Sequence, residues 1–73
     1  MKVEKIINRD GFDIKVVTTI IDPLTGLYRS SAFYKDYPDR VVSIHQDKNK
    51  NIAAEVAVTK LINECPPEIL DLI

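Results

Sequence analysis

The chain has 73 residues, and its ten lysine and arginine residues against eleven aspartate and glutamate residues give a formal net charge of −1. This length predicts one domain spanning residues 1–73. A hydrophobic content of 45% with 29% charged residues is typical of a folded chain. The charge balance disfavours a strongly basic nucleic-acid-binding module. Without a membrane-spanning apolar run or a signal-peptide pattern, and with a single cysteine, we expect a cytoplasmic protein with no membrane partner.

Two turn motifs organise the first half of the chain. The Asp10-Gly11 pair is a strong hairpin signal between a strand at residues 3–7 and a strand at residues 12–21. The segment from Asp22 to Gly26 predicts a second turn, followed by a third strand at residues 27–35. Residues 41–45 can form a short fourth strand. Loops this short make neighbouring strands antiparallel, so we predict a meander of three or four strands.

The strand at residues 12–21 has one almost wholly apolar face and one face that begins charged and becomes apolar. The second face ends with Val17, Thr19 and Ile21. On the third strand, Phe33 is the only large ring on its face. We therefore predict a core that combines one face of these strands with one side of a helix. The predicted core residues are Ile14, Val16, Ile20, Phe33, Ala57, Val58 and Leu61.

A single long helical pattern covers residues 51–65, where apolar residues recur at helical spacing. Asn49 or Asn51 is suited to cap its start, and Pro66 and Pro67 end it. Since proline is tolerated in a first helical turn, Pro67 is expected to begin a second, short helix. The predicted fold class is α+β: a three- to four-stranded antiparallel meander sheet covered by one C-terminal helix, plus a short terminal helix.

Residues that could support catalysis are sparse. His45 is the one histidine and Cys65 the one cysteine, and no local motif pairs them. Metal sites need clusters of ligating residues, and phosphate-binding loops need several glycines, whereas this chain has two glycines, each in a turn. We therefore expect a protein that is not an enzyme, with no cofactor and no metal.

The surplus of apolar residues favours a protein-interaction module, with a homodimer or another protein as the partner. A short terminal helix is not stable alone and must dock on another surface. We favour docking across a two-fold axis onto the second sheet face, because a symmetric contact buries the same patch twice. The alternative is that the tail folds back over the open face of its own sheet. The expected interface residues are Val17, Thr19, Ile21, Ile69, Leu70 and Ile73.

The segment from Lys50 to Leu61 contains an Ala-Ala pair, a third alanine and a leucine at fixed spacing. In these residues it resembles the final helix of double-stranded RNA-binding domains, which also place three antiparallel strands before that helix. The resemblance implies a nucleic-acid-binding module as the alternative function. Four basic residues would then contact phosphates: Arg29, Arg40, Lys48 and Lys50. Steep loss of binding with salt would indicate such phosphate contacts.

Overall fold

The structure, a computed structural model, describes residues 2–72 and shows an α+β fold. Four strands are followed by a helix and a 3₁₀ helix: β1 (Lys2–Arg9), β2 (Phe12–Asp22), β3 (Leu27–Tyr34), β4 (Ser43–Asp47), α1 (Lys50–Glu64) and η1 (Pro67–Leu72). The strands lie in the order β1-β2-β3-β4, and each neighbouring pair is antiparallel. The predicted meander with one covering helix is confirmed, with four strands.

The first hairpin turns through the predicted Asp10-Gly11 pair. Arg9 pairs with Phe12 across the turn, and both turn residues have positive φ, 54° for Asp10 and 84° for Gly11. Two successive residues with positive φ are characteristic of a type I′ turn, whose twist matches that of the flanking strands. This turn aligns β1 and β2 over all eight residues of β1.

The second hairpin is organised by Asp22. Its carboxylate accepts hydrogen bonds from the backbone N–H of Leu24 (3.0 Å) and of Thr25 (3.4 Å). Its backbone carbonyl accepts one from Gly26, 2.8 Å away, and Gly26 has a φ of 72°. The strand register shifts between Ile20 and Asp22, which marks a β-bulge just before the turn.

The helix begins after Asn49, one of its two predicted caps. The Asn49 side chain accepts hydrogen bonds from the backbone N–H of Asn51 (2.9 Å) and of Ile52 (3.2 Å), so two otherwise unpaired donors are satisfied. At the other end, Cys65 N–H donates to the Leu61 carbonyl over 2.8 Å before the two prolines. The helix is thus one residue earlier at each end than predicted.

The core lies between α1 and one face of the sheet. Several of its members are small, which lets the helix backbone lie close to the strands. The central buried residues are Ile14, Val16, Ala32, Tyr34, Ala54, Ala57, Val58, Leu61, Cys65 and Leu70. Five of the seven predicted core residues are therefore confirmed, and the other two, Phe33 and Ile20, are not among these buried residues.

The prediction that Phe33 belongs to this core is wrong. Ile14 pairs with Tyr34 and Val16 pairs with Ala32, so these β3 residues share the helix-covered face. Phe33 pairs with Lys15 on the opposite face and is half-buried. Because Ala32 and Tyr34 both join the core beneath α1, Phe33, which lies between them on the strand, is on the other face. Ile20, near the hairpin end of β2, is also only half-buried.

The terminal segment docks on its own chain. Leu70 is 1% exposed and belongs to the same core as the helix, and Ile69 packs against that core. Both residues thus lie on the helix side of the sheet, in contact with their own chain. Docking of the tail across a two-fold axis stays a prediction. The tail also does not cover the second sheet face. Ile73 lies outside the described residues.

Candidate interaction surfaces

His45 and Cys65, the two residues considered for chemistry, lie in different surroundings. His45 lies on β4 with its Nε2 atom 3.9 Å from a carboxylate oxygen of Asp47, while Cys65 is 1% exposed in the core. Across the part of the chain that the structure describes, no group of three or more His, Cys, Asp or Glu side chains could hold a metal ion. Nor does any described helix have the length and apolar character needed to cross a membrane.

The sheet face opposite α1 is the first candidate surface. The register places Glu4, Val17, Ser31 and Ile44 in one row across all four strands. No helix of residues 2–72 packs on this face, because both α1 and η1 join the core on the other side. This open face is therefore a broad surface that the described chain leaves in contact with solvent.

Four apolar side chains lie on the open face, and we refer to them as the open-face patch: Ile6, Val17, Phe33 and Ile44. Ile6 is 52% exposed and Ile44 is 47% exposed, while the other two are half-buried. The patch spans the sheet from one edge strand to the other. Of the predicted interface residues, Val17 lies in this patch and Thr19 lies beside it on β2.

A charge cluster lies within the open-face patch. The Lys15 ammonium is 2.9 Å from one carboxylate oxygen of Glu4, and the Lys2 ammonium is 3.8 Å from the other. The hydrogen bond and the charge of Lys15, together with the charge of Lys2, lower the pKa of Glu4. The Glu4 carboxylate therefore stays ionised beside two ammonium groups, and the cluster of three side chains carries a net charge of +1.

A groove between β1 and α1 is the second candidate surface. The helix packs over β2, β3 and β4 and leaves β1 largely uncovered. The floor and walls of this β1–α1 groove combine apolar and charged side chains: Lys5, Ile7, Arg9, Asn51, Ala54, Glu55, Val58, Thr59 and Ile62. A hollow next to the start of α1 continues it, lined by Val3, Lys5, Thr18, Tyr28, Lys50, Asn51 and Ala54.

The four basic residues proposed for phosphate contacts do not form one patch. Arg29 pairs with Thr19 on the open face, whereas Lys50 lines the hollow on the helix side. Arg40 lies in the β3–β4 loop, and Lys48 lies in the loop at the other end of β4. The remaining predicted interface residue, Ile21, is 38% exposed at the β-bulge.

The structure instead brings Lys5 and Arg9 together with Lys50 along the β1–α1 groove. Lys5 and Arg9 were not among the basic residues that the sequence predicted for a binding surface. Their four-residue spacing places them on one face of β1, and this signal was present in the sequence. The missing information was the lateral position of the helix, which hydrophobic periodicity does not specify.

Comparison of the chain with protein-family models, with curated proteins and with solved structures found no match. The resemblance of residues 50–61 to the final helix of double-stranded RNA-binding domains stays a prediction.

Proposed function

We propose that this protein is a small, non-enzymatic interaction module that acts through protein–protein contacts and pairs with a second copy of itself. The observation that carries this proposal is the open-face patch, an apolar surface that the chain's own helix and tail leave uncovered. A cytoplasmic location belongs to the same proposal and is supported by the single, unpaired Cys65.

Packing two open faces together would complete the layers of the fold. Each sheet has one face covered by a helix, and the apolar side chains of the other face can be buried against a second sheet. Two sheets pack face to face about 10 Å apart, with their side chains interdigitating. A two-fold axis would place the same patch on both sides of the contact, so each apolar side chain of the patch is buried in both copies.

The polar residues of the open face fit this arrangement. Glu4 lies between two lysines, so its charge is paired within the chain and one positive charge of the cluster is left over. Arg29 and Gln46 face each other across β3 and β4 toward the end of the sheet away from Phe33. Interfaces commonly combine an apolar centre with a polar rim of this kind.

The experiment is sedimentation of the parent chain and of two single variants over a range of concentrations. Ile44→Lys places a charge in the open-face patch, and Ile52→Lys is the matched control on the exposed side of α1. The two isoleucines have similar exposure, 47% and 43%, so the substitutions differ mainly in their location. We expect the parent to form a dimer, Ile44→Lys to be monomeric, and Ile52→Lys to behave like the parent.

Two outcomes would contradict the proposal. If the parent chain stays monomeric at millimolar concentration, the open-face patch does not mediate self-association. Equal loss of the dimer in both variants would place the contact elsewhere. A short RNA duplex added to the same samples tests the alternative function, since binding that weakens steeply with salt would indicate phosphate contacts.

A further inference from the structure

We propose that the β1–α1 groove binds an extended acidic segment of another protein, which adds to the sheet as a fifth strand beside β1. This surface lies on the helix side of the sheet and at its edge, away from the open-face patch. The inference therefore does not depend on the homodimer.

The first argument is the free edge of β1. This strand is last in the sheet order and pairs only with β2, so its outer row of backbone N–H and C=O groups has no strand partner among the described residues. Seven of its eight residues are exposed. An uncovered edge strand of this length is a template for an added strand, and many peptide-binding domains use this mode.

The second argument is the charge of the groove. Lys5, Arg9 and Lys50 line it and its adjoining hollow, against the single carboxylate of Glu55. Within the described part of the chain, none of these three basic groups is in an ion pair. The chain as a whole carries a net charge of −1. A local excess of unpaired positive charge on such a chain is complementary to an acidic partner.

The third argument is the spacing of the side chains. Lys5, Ile7 and Arg9 alternate along the helix-side face of β1, with the two basic residues about 13 Å apart at the usual rise of a strand. An added strand would place its own alternate side chains at the same interval. The matching pattern is an acidic residue, an apolar residue two positions later, and a second acidic residue two positions after that. The apolar side chain would contact Ile7 and Ile62.

The same charges argue against a second copy of this chain as the occupant. Pairing β1 with another β1 would bring two Lys5 and two Arg9 side chains into one groove, where like charges repel. A free strand edge alternates N–H donors with C=O acceptors, which matches the edge of an added strand, whereas phosphate groups offer acceptors only. The acidic segment of a different protein fits both features.

The probe is a synthetic peptide, acetyl-Ser-Asp-Thr-Val-Thr-Asp-Ser-amide, titrated into the isotope-labelled full chain and followed by amide chemical shifts. We expect the shifts to be concentrated in β1 and the facing side of α1. Lys5→Glu and Arg9→Glu should each weaken binding about tenfold. Lys35→Glu is the matched control, because it makes the same charge change at an exposed position outside the groove and should leave the affinity unchanged.

A second peptide separates strand addition from simple charge attraction. It has the same side chains but carries N-methyl groups on the alternate backbone amides that would face β1, which removes their N–H donors and sterically blocks close approach to the strand edge. We expect it not to bind. Equal binding of both peptides, or equal affinity of the parent and Lys5→Glu, would overturn the proposal. So would an absence of binding at millimolar peptide, or tighter, Lys5-dependent binding of a short RNA duplex.

Discussion

Replacing Tyr34 with phenylalanine tests how strongly the sheet and the end of the helix depend on one hydroxyl group. Tyr34 is 1% exposed, and its hydroxyl donates a 2.6 Å hydrogen bond to the backbone carbonyl of Cys65, the residue that caps α1. Its ring meets Phe12 edge to face, with the ring centroids 6.3 Å apart. Tyr34→Phe keeps the ring and removes only the hydrogen bond.

The expected cost follows from the burial of both partners. Removing the donor leaves the Cys65 carbonyl buried without it, which costs about 1–3 kcal/mol. A chain of this size has a total stability of about 4–11 kcal/mol. For a domain this small, each kcal/mol shifts the melting temperature by about 4–8 °C, so a cost near 2 kcal/mol predicts a decrease of about 8–16 °C.

Thermal and urea unfolding followed by circular dichroism measures the effect. Tyr28→Phe is the control, because Tyr28 is half-buried and its hydroxyl makes no hydrogen bond within the described chain. We expect that variant to stay within about 0.5 kcal/mol of the parent. If Tyr34→Phe melts within about 3 °C of the parent, or if both variants lose the same stability, the hydroxyl does not hold the helix end as described.

Leu70→Ala is expected to cost about 2–5 kcal/mol in urea unfolding without changing the sedimented mass, since Leu70 is buried in its own chain. A change in mass would show that the tail contacts a partner instead. Asn49→Ala should cost about 1 kcal/mol, because it removes the helix cap, and Asn63→Ala on the exposed side of α1 is its control. Burial, then the nearby Cys65 and Glu68, raise the pKa of Tyr34 above its ordinary value of 10.0. The unfolded chain therefore releases this proton first, so stability present below pH 10.0 should fall as the pH rises through the raised pKa. A urea midpoint that does not fall in this range more steeply for the parent than for Tyr34→Phe would contradict this.

Local chemistry determines the parts of the fold that the sequence predicts well. Asp10-Gly11 and the segment from Asp22 to Gly26 adopt the positive φ values and side-chain hydrogen bonds expected of their turns. Short turns leave no freedom in strand order, so the meander follows directly. The helix ends are similarly fixed by a capping asparagine and by the prolines after Cys65.

The choice of face on β3 depends on information that is not local. Both faces carry an aromatic residue, Phe33 on one and Tyr34 on the other, and the larger apolar character of phenylalanine favoured the wrong one. The deciding partner is the helix, whose buried Ala54 and Ala57 join the same core as Ala32 and Tyr34. The Tyr34 hydroxyl also donates a hydrogen bond to the Cys65 carbonyl at the helix end, and a phenylalanine has no group that could do so.

The candidate surfaces were only partly predictable for a related reason. Val17 and Thr19 lie on the open face because strand periodicity alone places them there. The groove beside β1 exists because α1 is displaced toward β3 and β4, and hydrophobic periodicity does not specify this lateral position.

Because Cys65 is buried, the reactivity of its thiol reports transient opening of the structure around it. A thiol that is 1% exposed reacts with an alkylating reagent only when the structure around it separates. Cys65 is the single cysteine of the chain, so every labelled molecule records one such event at one known position. Labelling rates measured without denaturant would therefore give the free energy of opening at the junction of helix, sheet and tail.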